Sequence, residues 1–459
     1  GGANTPLGTT GGGTLIASGG ALDLNGFTLG TAEAITSLAG TGFGASGSSN
    51  MGAIMNSSAS PVSYSGALTL TAAARINADA GALTISGNAS GNFALTFGGF
   101  SNITYSGVRS GTSTIVKDGI GVLTLSNGNS SYTGATTISV GTVKVGAASV
   151  GGTNSPLGTT GGATTVALGA RLDLNGFNLG IAEPLTLNGV GYGLGDFASG
   201  ALMNSSGSTV TYSGLITLGS TGVLVKADSG TINLTAAGTI TGATFAMTLG
   251  GIGNGTLSSI IGTTTGALTK IGSGTWTLSG QSTFTGVTNI SNGTVKLGVS
   301  GGATNSPLGT TGSGTVISTG GVLDFNGFTM STAEALTING RGIGNGGALI
   351  GSSGTFSGAI TQGTDSRITN ASGTMTLSAA IGGAFALYIG GAGNITTSAV
   401  FAASALSITK QGAGTMTVTG ANLYTGVTRV DAGTFAYAAS TTLVGTNLIM
   451  NGGTFNNGA

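Results

Sequence analysis

The chain has 459 residues, only 5% of them charged, and its 12 basic and 12 acidic side chains leave no net charge. That balance argues against nucleic acid, whose binding needs basic charge to displace counterions from phosphate, and against electrostatic docking on anionic membranes. Apolar residues reach 39%, enough to offset the ordering entropy that keeps weakly apolar chains disordered, yet Gly, Ser, Thr or Asn interrupts every apolar stretch well short of the ~18–20 residues of a membrane-spanning helix.

Taken in chain order, the sequence restates itself. Asn4-Thr5-Pro6-Leu7-Gly8-Thr9-Thr10 opens the chain, recurs from Asn154 to Thr160, and recurs again from Asn305 to Thr311. Leu22-Asp23-Leu24-Asn25-Gly26-Phe27 is matched by Leu172 to Phe177 and by Leu323 to Phe328. Ala32-Glu33 is matched by Ala182-Glu183 and Ala333-Glu334. Later in each unit, Phe93 to Gly99 is matched by Phe245 to Gly251 and Phe385 to Gly391. The expected organisation is therefore three tandem units, 1–150, 151–301 and 302–459, in one continuous rod. The third unit is shortened between Glu334 and Phe385, as a solenoid permits where a loop or coil can be removed, and it runs into the start of further coils.

A shorter rhythm runs inside each unit. Gly-Thr followed by alternating apolar residues recurs, as in Gly141-Thr142-Val143-Lys144-Val145 and Gly274-Thr275-Trp276-Thr277-Leu278. These runs are rich in Thr, Val, Ile and Leu with a period of two, which predicts short strands. Asn-Gly closes many of them (Asn25-Gly26, Asn127-Gly128, Asn175-Gly176, Asn326-Gly327), and no segment holds a helical period. Of the 459 residues, 93 are Gly and 5 are Pro, without collagen's three-residue period. Such spacing fits a sandwich or a solenoid. Repetition at two scales, tight Gly/Asn corners and scarce charge favour the solenoid, because rungs stacked ~4.8 Å apart would set repeated charges against one another. At roughly 20–25 residues per coil the chain makes about 20 coils, a rod on the order of 100 Å.

The end of each unit resembles the passenger-associated repeat of bacterial autotransporters. The first copy runs Lys117-Asp118-Gly119-Ile120-Gly121-Val122-Leu123-Thr124-Leu125 and ends Tyr132-Thr133-Gly134-Ala135-Thr136-Thr137-Ile138. The second runs from Lys270 to Ile290 and the third from Lys410 to Val430. Phe284 stands in place of the usual Tyr, and Ser282 stands where the third copy has Asn422. The resemblance implies an all-β, right-handed parallel β-helix exported to the outer cell surface of a bacterium, and it implies no chemistry.

Candidate chemistry is sparse. Without His or Cys, Ser-His-Asp and Cys-His triads and the usual zinc sites are excluded. The absence of Cys also suits secretion without disulfides. The chain opens at Gly1 with neither initiator Met nor signal segment, and reads as a processed product or fragment. Gly42 to Gly47 matches a dinucleotide fingerprint in letters only, and Gly193-Leu194-Gly195-Asp196 faintly resembles a calcium-binding repeat but stands alone. Asp23 with Glu33 recurs as Asp173 with Glu183 and Asp324 with Glu334. A single active site would appear once, so the expectation is corner hydrogen bonding by Asp and a solvent-facing or capping Glu. Arg75, Lys226 and Arg367 are expected in structural ion pairs near Asp79, Asp228 and Asn370. Lys117, Lys270 and Lys410 are read as exposed lysines that discourage edge pairing, and Tyr64, Tyr212 and Phe356 as stacked core aromatics.

These readings give no catalytic, cofactor-binding or metal residues and no cofactor. The expected function is a non-enzymatic, extracellular structural or adhesive rod or fibre subunit. The alternatives are a glycan-active β-helix enzyme, which requires an unrepeated cluster of carboxylates with a Lys or Arg, and a passive glycan- or protein-binding module. Expected partners are other copies of the chain, end to end or laterally, or host and surface ligands, with no nucleic acid and no membrane span.

Overall fold

The computed structural model describes residues 4–43, 51–194, 198–398, 400–402, 405–438 and 447–457. It is all-β: short strands stack in parallel on the strands one coil before and after them, roughly 20 coils in all. A single 3-10 turn, Ile343–Asn345, is the only helical element among the described residues, and no helix there is long and apolar enough to cross a membrane. The chain forms two compact units, 1–236 and 237–459, and their border falls within the second sequence repeat.

In the first unit one ladder climbs through Leu95–Gly98, Ile115–Lys117, Thr136–Ile138, Thr164–Val166 and Leu185–Leu187. The next face of the same coils carries Ile103–Tyr105, Val122–Leu125, Thr142–Val145, Arg171–Asp173 and Leu202–Asn204. Period-two alternation does the sorting. In Val122–Leu125, Leu123 and Leu125 turn inward while Thr124 faces out, and Ile103, Leu123, Val143 and Leu172 stack in one buried column. A two-residue period with branched or leucyl side chains on the inner face buries one apolar side per strand, and coil-to-coil stacking then joins these sides into a continuous core.

The second unit repeats the pattern. Trp276, Val295, Leu323, Leu349 and Ile368 form a column through parallel pairings. The antiparallel strand pairs among the described residues are local hairpins at the Pro-Leu-Gly motif, Asn4 with Thr9 and Asn305 with Thr310.

The repeat is not a whole number of coils. Leu22 begins a column that continues through Ile54, Ile76, Phe97, Lys117, Ile138 and Val166. Its sequence equivalent Leu172 lies on the neighbouring face, over Val143 and under Leu202. Each has the same kind of neighbour in the next coil, Ile54 and Leu202, but one repeat shifts the whole pattern to the next side of the solenoid.

Corners are where glycine is required. In the Ser-Gly that follows Tyr64, Tyr212 and Phe356, a Cβ on Gly66, Gly214 or Gly358 would lie 1.6, 1.8 or 1.7 Å from the carbonyl oxygen of Glu33, Glu183 or Glu334 in the coil below. No rotamer change relieves a clash with backbone. Gly11, by contrast, has open space around its Cβ position and an ordinary φ. Gly214→Ala is therefore expected to lower the urea midpoint by the equivalent of ~3 kcal/mol or more, and Gly11→Ala to leave it within about 0.5 kcal/mol, both read from equilibrium unfolding of the full chain.

Candidate functional site

Most of the charged side chains that recur are consumed by the coil itself. Asp23 Oδ1 accepts from the backbone N–H of Asn25 at 2.9 Å and of Ser57 at 3.1 Å, and its Oδ2 accepts from the Ser57 hydroxyl. Asp173 repeats this with Asn175 at 2.9 Å and Ser205 at 3.1 Å. Asp324 keeps the bond from Asn326 at 2.8 Å. These bonds close the turn that places Asn25, Asn175 and Asn326 at φ of 42°, 49° and 50°, a left-handed region that Asn tolerates. The corner role read from sequence is what the aspartates perform.

The glutamates correct the sequence reading. Glu33, Glu183 and Glu334 are buried rather than solvent-facing. The Thr14 hydroxyl donates to Glu33 at 3.1 Å and the Thr164 hydroxyl to Glu183 at 3.0 Å, while Thr315 and Ser306 both donate to Glu334. The backbone carbonyls of Glu33 and Glu183 in turn accept from the Tyr64 and Tyr212 hydroxyls. Burial pushes the Glu183 carboxyl up to about 8 and that of Glu334 to about 7, against the partial relief given by the hydroxyl donors.

The motif lysines are a second correction. Lys117, Lys270 and Lys410 end their strands, stand in core columns and are buried. Lys270 Nζ donates to the carbonyls of Ile271 at 2.8 Å, Gly272 at 2.6 Å and Asn292 at 3.1 Å. Lys410 does the same to Gln411 at 2.8 Å, Gly412 at 2.7 Å and Ala432 at 3.3 Å. Lys117 reaches the carbonyls of Gly119 and Val140. The ammonium thus ties two successive Gly-rich corners together from inside, because strand hydrogen bonds leave those turn carbonyls without partners. Burial lowers each amine to about 8.

The motif aromatics Tyr132, Phe284 and Tyr424 are core residues, as are Tyr64, Tyr212 and Phe356. Tyr132 shares a hydrogen bond of 2.6 Å with Thr136. Where Phe284 lacks the hydroxyl, Thr288 donates instead to the Leu308 carbonyl at 2.7 Å. Arg109 is also buried, donating to the carbonyls of Gly91 at 3.0 Å and Phe93 at 2.9 Å, with Nε and Nη1 unpartnered. The corresponding place before the motif aromatic holds Ile261 in the second repeat and Phe401 in the third.

The expected ion pairs are redistributed. Lys226 does meet Asp228 at 2.9 Å. Arg75 reaches past Asp79 to Asp118, two coils on, and also donates to Asn77 at 3.1 Å. Arg367 makes the equivalent reach to Gln411 at 3.2 Å and bonds Thr369 rather than Asn370. Asp196 and Gly44–Gly47 lie outside the described residues. No group of three acidic residues suited to a metal ion occurs among those described.

One surface is not repeated, and sequence reading missed it. In the first unit the corner between the two ladders described above carries Phe100, Ile120, Val140 and Leu168 in four successive coils, exposed by 68, 64, 41 and 75%. The slots of Phe100, Ile120 and Val140 hold Ile252, Ser273 and Asn292 in the second repeat and Ala392, Ala413 and Ala432 in the third, and the slot of Leu168, itself in the second repeat, holds Ser18 in the first and Thr319 in the third. Flanking this stripe is a cleft of about 370 Å³ lined by Arg75, Asn77, Asp79, Phe100, Asp118 and Ile120. A second cleft, of about 480 Å³, shares Ile120 and Val140 and adds Arg171 and Tyr192. The stripe's signal in the sequence is a difference between aligned repeats and not a likeness.

Residues 115–145, 224–246, 268–297 and 408–436 match the family model of the passenger-associated-transport-repeat. The match at 224–246 is a further copy that the sequence reading missed, although Lys226-Ala227-Asp228-Ser229-Gly230-Thr231-Ile232 carries its opening pattern. A curated relative, the adhesin BmaC autotransporter of Brucella suis biovar 1 (strain 1330), is 32% identical over 151 residues, covering 32% of this chain and 4% of the relative. The chain thus corresponds to a small part of that protein's length. No solved structure matches.

Because the two carboxyls hold protons more tightly folded than unfolded, the stability they add is fully present below about 4.5 and is lost as pH rises through about 7 to 8. The buried lysines stay protonated over most of that window. The melting midpoint is expected to fall by on the order of 5 °C between about pH 5 and about pH 8, and Glu183→Gln combined with Glu334→Gln should remove most of that fall in a calorimetric scan.

Proposed function

We propose that this chain, a stretch of autotransporter passenger carrying four transport repeats, is a non-enzymatic segment of a bacterial surface adhesin. In this reading the repeated coils are a stiff spacer and the unrepeated corner stripe is the surface that makes contact. Its repeats and its likeness to an adhesin autotransporter favour a surface-exposed or secreted location.

The observation that carries the reading is how the polar groups are spent. The recurrent Asp, Glu and Lys side chains are bound into turns or held inside the coil. In the unrepeated cleft, Arg75 sits on Asp118, which takes that carboxylate out of use as a free base. What the corner stripe itself presents outward is apolar: Phe100, Ile120, Val140 and Leu168. Exposed apolar patches on otherwise polar surfaces mark contact sites.

The purified chain, coated on beads, is expected to retain beads on a surface presenting other bacterial or host-cell material, and Ile120→Asp to reduce retention severalfold. The same preparation should release neither reducing ends nor unsaturated products from a panel of polysaccharides. Release of either, abolished by Asp79→Asn or Asp118→Asn, would establish the glycan-active alternative instead.

A further inference from the structure

We infer that the Arg75–Asp118 cleft of the first unit is a sugar subsite, shaped for a neutral hexopyranose of a surface glycan. The inference deepens the adhesive reading by naming the ligand class, and it rests on that reading for its biological use.

The cleft's residues come together once. Its polar side is Arg75, Asn77, Asp79 and Asp118, on or just after the strands Leu68–Ala78 and Ile115–Lys117 that lead into the corner. Its apolar side is Phe100 and Ile120, on the corner itself. Two coils beyond Leu22, Leu172 and Leu323 stand Ile76, Val225 and Ile368. Counted from these, the places of Arg75, Asn77 and Asp79 hold Leu224, Lys226 and Asp228 in the second repeat and Arg367, Thr369 and Ala371 in the third. The place of Asp118 holds Ile271 and Gln411. Only the first repeat joins a guanidinium, an amide and two carboxylates to an exposed ring. A set that the stack required would recur, as the buried lysines do.

The polar side is held in advance. Arg75, itself buried, pairs with Asp118 and donates to Asn77 at 3.1 Å, and the Asn77 amide donates to Asp79 Oδ1. This relay fixes the Asp79 carboxylate while leaving its second oxygen without a donor among the described residues. Arg75 Nε and Asp118 Oδ1 are also unpartnered, so the relay has both a donor and acceptors to spare. Groups already ordered save part of the cost of binding.

The ligand class follows from this inventory. A sugar hydroxyl both donates and accepts, which matches such a wall, whereas an ammonium only donates and would meet the Arg75 guanidinium. Two carboxylates against one guanidinium leave an excess of negative charge, which disfavours acidic sugars. Phe100 and Ile120 are 68 and 64% exposed and offer an apolar wall to the C–H face of a pyranose ring. Gly99 and Gly119 also line the cleft and add no side chain to fill it. Its volume of about 370 Å³ lies at the small end for ligand clefts, with room for a sugar ring and not for a folded partner.

Saturation-transfer NMR on the full chain, with the methyl glycosides of glucose, galactose, mannose and N-acetylglucosamine as probes, is expected to show at least one binding with a Kd on the order of 1 mM. Its ring C–H protons should receive the strongest transfer. Glucuronate and glucosamine should bind severalfold more weakly. Asp79→Asn should weaken binding about tenfold, through loss of a charge-assisted hydrogen bond. Phe100→Ala should weaken it severalfold and Phe100→Trp restore it. Unchanged circular dichroism verifies folding, and because Phe100 is exposed its variants test the cleft even where Asp79→Asn perturbs the coil. Failure of all four neutral sugars to bind, glucuronate or glucosamine bound as tightly, or an affinity indifferent to Phe100→Ala would overturn the proposal. Beads that adhere, and lose adhesion with Ile120→Asp, while no sugar binds would overturn the sugar subsite alone and leave the adhesive function standing. Sugar bound by a chain whose beads do not adhere would uphold the subsite and remove the adhesive reading.

Discussion

Backbone hydrogen bonding from each coil to the next governs everything else in this protein. Each residue has a counterpart about 4.8 Å above and below, so a choice at one position is made for a column. Apolar columns such as Ile103, Leu123, Val143 and Leu172 make the core. Charged columns would repel, and the chain accordingly carries few charges. Corners bring the backbone of one coil against the carbonyls of the next, and only glycine fits where Gly66, Gly214 and Gly358 approach the glutamate carbonyls. Composition that looks like low complexity is the outcome of this one geometric demand.

The same demand explains why buried charge occurs where it does. Corner turns interrupt the ladder, so their carbonyls lose strand partners and must be satisfied from elsewhere. A lysine ending a strand in a core column can bend its amine to two corners at once, as Lys270 and Lys410 do. A buried ammonium without a carboxylate is costly, and three carbonyl acceptors are what offset the desolvation. The glutamates are the converse case: with hydroxyl donors only, Glu183 and Glu334 are held toward the neutral form.

The repeat, the strand period and the parallel stacking were legible because they are periodic, and periodicity survives in one dimension. The aspartate turns were legible because an Asx-type bond is local, from Asp23 to Asn25. The lysines and glutamates were misread because burial depends on which way the last residue of a strand faces relative to a coil some 20 residues away. Nothing near Lys117 in sequence states that it stacks between Phe97 and Ile138. Arg75 likewise finds Asp118 two coils on and not its near neighbour Asp79. The functional candidate was hidden for another reason: Phe100, Ile120, Val140 and Leu168 are dispersed in sequence and meet only because the coil returns to the same corner.

A scaffold of this kind separates structure from function cleanly. Residues shared by the repeats maintain the stack, whereas exposed residues particular to one repeat, such as Phe100 and Ile120, take no part in it. The central claim is the parallel, in-register stack itself, and paired nitroxide labels test it most directly. Thr104, Thr124 and Lys144 face outward in three consecutive coils of one ladder. Labels at 124 and 144 should show strong dipolar broadening in the frozen-solution spectrum, and labels at 104 and 144, one rung further apart, distinctly less. Equal broadening for the two pairs, or none for 124 with 144, would mean that the coils do not lie over one another.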